Sequence, residues 1–129
     1  MARLRKRHIF VIDDDPETLN LLALALRRKK FDVTTAMTWE NVIEEVKQCY
    51  KHGSQFDAIM LDLMMPDRSG FDVLLSLQTM LVPLPPVIVL TAVTDISKQI
   101  QAGEMGVKKY LTKPTTPKKL VETLDDIFD

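Results

Sequence analysis

Apolar and polar positions along this chain follow two alternating rhythms. Short unbroken apolar runs are separated by longer stretches in which apolar residues recur every three or four positions. The first run is His8-Ile9-Phe10-Val11-Ile12, apolar throughout, as expected of a strand covered on both faces. Asp15-Pro16 then pairs a capping residue with proline at the first helical position. Leu19, Leu22, Ala23 and Leu26 follow at helical spacing, and Arg27-Arg28-Lys29-Lys30 suit the negative end of a helix. Residues 31–36 read as a second strand. Thr38 is a candidate cap for a helix carrying Val42, Ile43, Val46 and Cys49, broken at His52-Gly53-Ser54.

Residues 58–61 form a third apolar run that leads directly into Asp62. Met65-Pro66-Asp67-Arg68-Ser69-Gly70 is turn chemistry. A third helix follows, with Phe71, Leu74, Leu75 and Gln78 expected on its inner face. Pro83-Leu84-Pro85-Pro86 excludes a helix interior. Residues 87–90 read as the fourth strand, running into Thr91. A short helix is expected from 95 to 104, stopped at Gly106. Residues 108–111 read as the fifth strand. Thr116-Pro117 opens a last helix through Leu120, Val121, Leu124 and Ile127. Five strand–helix units in this order predict an α/β fold, a doubly wound five-stranded parallel sheet with helices on both faces.

The length, 129 residues, predicts one domain over residues 1–129 with a self-sufficient core. The composition, 46% apolar and 27% charged, is that of a soluble globular protein. A net charge of −1 sets no global attraction to nucleic acid or to a membrane surface. The basic start, Arg3-Leu4-Arg5-Lys6-Arg7-His8, reads as a solvated terminus. No stretch approaches the ~20 apolar residues of a membrane span. The run at residues 9–12 meets three aspartates, which a signal-peptide core would not tolerate. A single cysteine excludes an internal disulfide, and Cys49 reads as a small buried apolar residue. A cytoplasmic protein is expected.

In open α/β sheets, functional groups gather at the C-terminal ends of the strands. Asp13 and Asp14 stand after the first strand, Asp62 after the third, Thr91 after the fourth and Lys113 after the fifth. Each has a plainer reading alone: a helix cap, a turn residue, a local backbone cap or a solvated cation. Their coincidence on one rim favours a shared site. Three carboxylates brought close repel one another unless one protonates or a cation neutralises them. Oxygen donors without cysteine or histidine suit Mg2+ rather than zinc. An aspartate can attack a phosphoryl group and hold it as an acyl phosphate.

These residues resemble the receiver domains of bacterial two-component response regulators, the CheY-like family. The resemblance rests on Ile9-Phe10-Val11-Ile12-Asp13-Asp14, on Leu61-Asp62 with Met65-Pro66 and Gly70, on Thr91-Ala92, on Gly106, and on Tyr110-Leu111-Thr112-Lys113-Pro114. The separations 14 to 62, 62 to 91 and 91 to 113 match as well, and the resemblance covers essentially the whole chain. It implies the flavodoxin-like strand order 2-1-3-4-5. It implies Asp62 as phosphoacceptor, and Asp13, Asp14, Asp62 and the backbone carbonyl of Met64 as Mg2+ ligands. It further implies Lys113 as the phosphoryl contact, Thr91 and Tyr110 as a coupled switch, and a cis bond between Lys113 and Pro114. The implied partners are a sensor histidine kinase or phosphotransfer protein and a downstream output domain or protein. A second copy is a further candidate, through the face of helix 4, strand 5 and helix 5. Neither direct nucleic-acid binding nor membrane contact is implied, and no enzymatic turnover beyond the domain's own phosphorylation and dephosphorylation.

Some positions depart from the family pattern. Thr115 stands where an aromatic residue is common, and Lys108-Lys109 where acids are frequent. With Lys118 and Lys119, these lysines read either as a solvated charged face or as a basic face that docks a partner of opposite charge. Met64 and Val93, two positions beyond Asp62 and Thr91, are apolar, which predicts slow self-dephosphorylation. Met60, Met64 and Met65 read as packing residues. Trp39 has no functional reading from sequence. Two other classes compete. An aspartyl phosphatase would place an acid at position 64, where this chain has methionine. A pure binding module would not need the acids, the threonine and the lysine together. A flavodoxin is weaker still, because no phosphate-binding loop follows the first strand.

Overall fold

The computed structural model describes residues 5–65 and 68–129. Its elements alternate as the two rhythms require. They are β1 (His8–Ile12), α1 (Pro16–Arg28), β2 (Asp32–Ala36), α2 (Trp39–Lys51) and β3 (Ala58–Leu61), followed by α3 (Gly70–Met80), β4 (Val87–Thr91), α4 (Ile96–Glu104), β5 (Lys109–Thr112) and α5 (Pro117–Phe128). The strands form one parallel sheet in the order β2-β1-β3-β4-β5.

Successive strand residues serve opposite faces, so the apolar runs supply two cores at once. Phe10, Ile12, Ile59 and Leu61 pack under α2 and α3 against Val42, Val46, Val73, Leu74 and Leu77. Ile9, Val11, Met60, Ile88 and Leu90 pack under α1 and α5 against Leu19, Leu22, Leu26, Leu120 and Leu124. A smaller cluster of Leu63, Phe71, Val89 and Ala102 seats α4. Side-chain caps at Asp15, Thr38, Ser69, Asp95 and Thr116 start the five helices, each accepting from a backbone amide in the first turn.

Several expectations shift. β2 begins at Asp32 and β5 spans Lys109–Thr112, one residue later than the apolar runs suggest. Leu75 does not face inward. It is solvent-exposed, while Val73 and Leu77 complete the inner face of α3 with Phe71 and Leu74. Gln78 is half-buried and donates to the carbonyl of Met105. Ile43, Val121 and Ile127 sit at the edges of their helices, half-buried. Met60 and Met65 pack as expected, but Met64 is exposed. Cys49 is buried, and desolvation, aided by the charge of Glu45, raises its thiol above the ordinary value.

Arg5 and Arg7 of the basic start are not simply solvated. The Arg5 guanidinium grips both oxygens of Asp57 at 2.8 Å, and Arg7 lies 4.1 Å from the centre of the Phe128 ring. Arg3 and Leu4 of that start, and Pro66 and Asp67 of the predicted turn, lie outside the described residues. The Lys113–Pro114 bond is cis, and so is Val82–Pro83. No helix among the described residues is long and apolar enough to cross a membrane.

Candidate functional site: an acidic rim closed by one lysine

Register places the chemistry. Ile12 pairs with Leu61 across β1 and β3, so Asp13 and Asp62 leave the sheet side by side. Backbone bonds hold both. The Asp13 amide donates to Ala36 at 3.1 Å, and the Asp62 amide donates to Ile12 at 3.0 Å. Thr91 and Thr112 close the pairing of β4 and β5, and the Lys113 amide donates to the Thr91 carbonyl at 2.8 Å. β1, β3, β4 and β5 therefore hand their polar residues to the same edge.

Asp13 and Asp62 are almost fully buried, at 2% and 4% exposure. Buried carboxylates require partners, and each has two. Lys113 Nζ donates to Asp13 Oδ2 at 2.6 Å and to Asp62 Oδ2 at 2.9 Å. The second oxygens take backbone amides: Asp13 Oδ1 that of Asp15, and Asp62 Oδ1 that of Met64, both at 3.0 Å. Asp14 stands beside them. One carboxylate oxygen from each of Asp13, Asp14 and Asp62 lies within 4.8 Å of the others. Among the described residues this is the one cluster of its kind.

The charges do not balance, since three carboxylates face one ammonium. Burial raises the Asp13 carboxyl above its ordinary value. The Lys113 and Asp15 hydrogen bonds oppose that rise, and the charge of Asp62 adds to it. Burial works against the charged form of Lys113 as well. Its hydrogen bonds to Asp13 and Asp62 outweigh that cost and hold the ammonium above its usual range. The cluster keeps its lysine charged and still carries excess negative charge. A hard divalent cation with oxygen ligands fits that donor set and that deficit.

Thr91 is fully buried, and its Oγ1 accepts from the Val93 amide at 3.3 Å. Tyr110 donates its hydroxyl to the Val93 carbonyl at 2.7 Å. Burial raises the Tyr110 phenol, reinforced by the charges of Asp95 and Asp62. Thr91 and Tyr110 therefore meet through the backbone of Val93, a connection that no side-chain pattern announces.

Gly70 holds the opposite side of the rim. A Cβ there would fall 2.4 Å from Leu63 Cα and 2.8 Å from the Asp62 carbonyl oxygen, so only glycine admits this approach of α3 to the Asp62 backbone.

The anticipated basic face is mixed. Lys108, Lys109, Lys118 and Lys119 are exposed, but the same outward stripe of α5 also presents Glu122, Asp125 and Asp126. Leu21 and Leu24 of α1 are exposed at 68% and 51%. Leu21 lines a groove with Leu22, Ala92, Pro114 and Thr115 that reaches Lys113. Leu21, an apolar residue on the polar outer stripe of α1, was the signal for it.

A buried acid pair bridged by lysine, at the carboxyl edge of a 2-1-3-4-5 parallel sheet, defines a receiver-type phosphoacceptor fold. Residues 9–125 match the response regulator receiver domain family, and the chain belongs to that family. It is similar to the transcriptional regulatory protein KdpE of Mycobacterium tuberculosis, with 40% identity over 106 residues, covering 82% of this chain and 44% of that protein. Among solved structures, a two-component response regulator from Clostridium difficile superposes with a TM-score of 0.84 at 20% identity, over 95% of this chain and 96% of that one. A response regulator from Burkholderia pseudomallei, solved with a phosphorylated aspartic acid, calcium ion and citrate, has a TM-score of 0.79 at 25% identity, over 92% of this chain and 66% of that one. The chain spans about half or less of the curated relatives KdpE, MtrA of Mycolicibacterium smegmatis and GlrR of Escherichia coli.

Proposed function

We propose that residues 1–129 form a single receiver unit that accepts a phosphoryl group on Asp62 from a sensor histidine kinase or phosphotransfer protein. The observation that carries this reading is the Lys113 bridge between Asp13 and Asp62, with Asp14 at the same cluster. An Asp62 oxygen attacks phosphorus, the bond from phosphorus to the donor nitrogen breaks, and the departing imidazole keeps the electron pair and takes up a proton. Asp13, Asp14, Asp62 and the Met64 carbonyl would hold Mg2+, which supplies charge compensation for the transferring oxygens. Lys113 is close enough to Asp62 to follow a phosphoryl oxygen once the carboxylate becomes an acyl phosphate. The apolar groove beside Lys113 gives the donor a docking surface along Leu21 and Leu22.

The readout passes through Thr91. Its hydroxyl turns toward the new phosphoryl oxygens and releases the Val93 amide, and Tyr110, bonded to the same residue, repositions with the loop. The equilibrium between two arrangements of the α4–β5–α5 surface shifts accordingly. That surface then engages an output domain, a partner protein or a second copy of the chain. The domain acts in the cytoplasm as a signalling switch, with no membrane or nucleic-acid contact of its own and no turnover of an external substrate. Met64 cannot supply the general acid that a phosphatase needs at its position, and with Val93 it offers no polar group to position an attacking water. The acyl phosphate is therefore long-lived. Incubation with acetyl phosphate and Mg2+ tests the core of the proposal: the wild type is labelled and Asp62→Asn is not. Labelling of the variant would overturn Asp62 as the acceptor.

A further inference from the structure

Arg68, on the loop between β3 and α3, and Trp39, at the start of α2, form a contact that the phosphoacceptor chemistry described above leaves unused. Trp39 opens α2, three residues beyond Ala36, whose carbonyl holds the Asp13 amide. Arg68 stands two residues before Gly70, whose amide donates to Leu63 at 3.0 Å and whose Cα packs against the Asp62 backbone. The two loops thus start from the backbone on either side of the acid pair. Their side chains meet, with the Arg68 guanidinium carbon 4.6 Å from the centre of the Trp39 ring. Arg68 is exposed, whereas Trp39 is half-buried against the α2–α3 core. A half-buried ring therefore holds an exposed cation on the loop that leads from Asp62 to α3.

Among the described residues, the cation that Asp13 and Asp62 share is Lys113, not Arg68. A stack on an exposed aromatic face is weak compared with a charge-assisted bond to a phosphoryl group. A guanidinium presents a planar fork of donors that matches phosphoryl oxygens two at a time. An incoming donor brings negative charge to a site already rich in it, and a cation on the adjoining loop lowers that barrier.

We propose that Arg68, held ready by Trp39, is a specificity-determining residue that captures the anionic phosphoryl group of the incoming donor. This rests on Asp62 being the acceptor. The fork leaves the indole face, binds phosphoryl oxygens during approach, and leaves the bond-making step to Asp62 and Lys113. The ligand is thus a phosphoryl group with two or three exposed oxygens, carried either by a small acyl phosphate or by a phosphohistidine.

The test measures phosphorylation rate against donor concentration at Mg2+ saturation, for wild type, Arg68→Ala and Arg68→Lys. Acetyl phosphate stands for the acyl donor. Phosphoramidate, with the phosphorus–nitrogen bond and a smaller net negative charge, stands for phosphohistidine. Arg68→Ala is expected to raise the half-saturating acetyl phosphate concentration several-fold with the maximal rate retained. The rise should shrink as salt increases, be smaller for phosphoramidate, and be partly reversed in Arg68→Lys. An equal rise for both donors would keep Arg68 as a phosphoryl contact and overturn its role in donor specificity. Trp39, the chain's one tryptophan, gives a second readout: beryllofluoride with Mg2+ should change its emission in wild type and not in Arg68→Ala. Half-saturating concentrations within twofold of wild type, or equal salt-insensitive losses in both variants, would overturn the proposal. Failure of the wild type itself to be labelled would instead remove the phosphoacceptor reading on which it stands.

Discussion

The acid corner and helix α4 lie on the same molecule but are built to opposite standards. Asp13 and Asp62 are buried, and both oxygens of each carboxylate accept hydrogen bonds. The strands beneath them carry Ile12 and Leu61 in the largest apolar cluster. In α4, Ala102 is the one buried residue, and Ile96 and Ile100 are exposed at 71% and 56%. Strength and looseness are thus separated in space. Chemistry at a carboxylate needs atoms held to a fraction of an ångström, which takes packing on every side. A surface that reports on that chemistry needs a second arrangement within reach, which takes an element with few buried contacts.

Truncations of equal kind should expose the contrast. Leu61→Ala, directly before Asp62, removes a fully buried side chain and is expected to cost about 2–5 kcal/mol in urea unfolding. Next comes Gly70→Ala. Alanine suits a helix better than glycine by ~1 kcal/mol. Here, however, the added carbon meets backbone atoms of Asp62 and Leu63. Overpacking of about 1–3 kcal/mol should win, and Mg2+ affinity should fall with it because the Asp62 backbone is displaced. A gain in stability would show that the rim is softer than drawn.

A third comparison lies at the opposite edge of the sheet. Burial alone would raise the Asp57 carboxyl. The Arg5 guanidinium, the His8 amide and Gln55 outweigh it and lower the value from 3.8 to about 2. A depressed carboxylate contributes stability that is fully present above the unfolded value and lost as pH falls through the folded one. In wild type this contribution should therefore fade between about pH 4 and pH 2. In Arg5→Ala less of it exists to lose, so the two unfolding curves should converge as the pH drops through that window. Curves that stay parallel would remove Arg5 from the account. The smallest effect belongs to α4. Ile100→Ala should change stability by no more than about 0.5 kcal/mol. Hydrogen exchange should nonetheless find the α4 amides opening well before those of α1 and β3.

Most of the fold could be read from the two rhythms. The strand starts and ends lie within a residue of the apolar runs, and the caps read at Asp15 and Thr38 stand at the starts of α1 and α2. The rim was legible too, because parallel α/β topology sends every strand's exit to one edge. Leu75 was misread because an apolar residue one step from the inner face of α3 looks the same in one dimension as a core residue. The Arg5–Asp57 grip, 52 positions apart, and the Arg68–Trp39 stack had no signal, since no local period links such residues.

Sequence by itself determined that Asp13, Asp62, Thr91 and Lys113 leave neighbouring strands at one edge, because side-chain period and crossover handedness are local properties of an L-polypeptide. Tertiary structure alone decided that one ammonium bridges two carboxylates from 100 and 51 positions away. It alone routed Thr91 and Tyr110 through the backbone of Val93 and left α4 on a single alanine. Those outcomes depend on distances of a few tenths of an ångström between segments that share no periodicity, and such distances exist only once the chain has closed on itself.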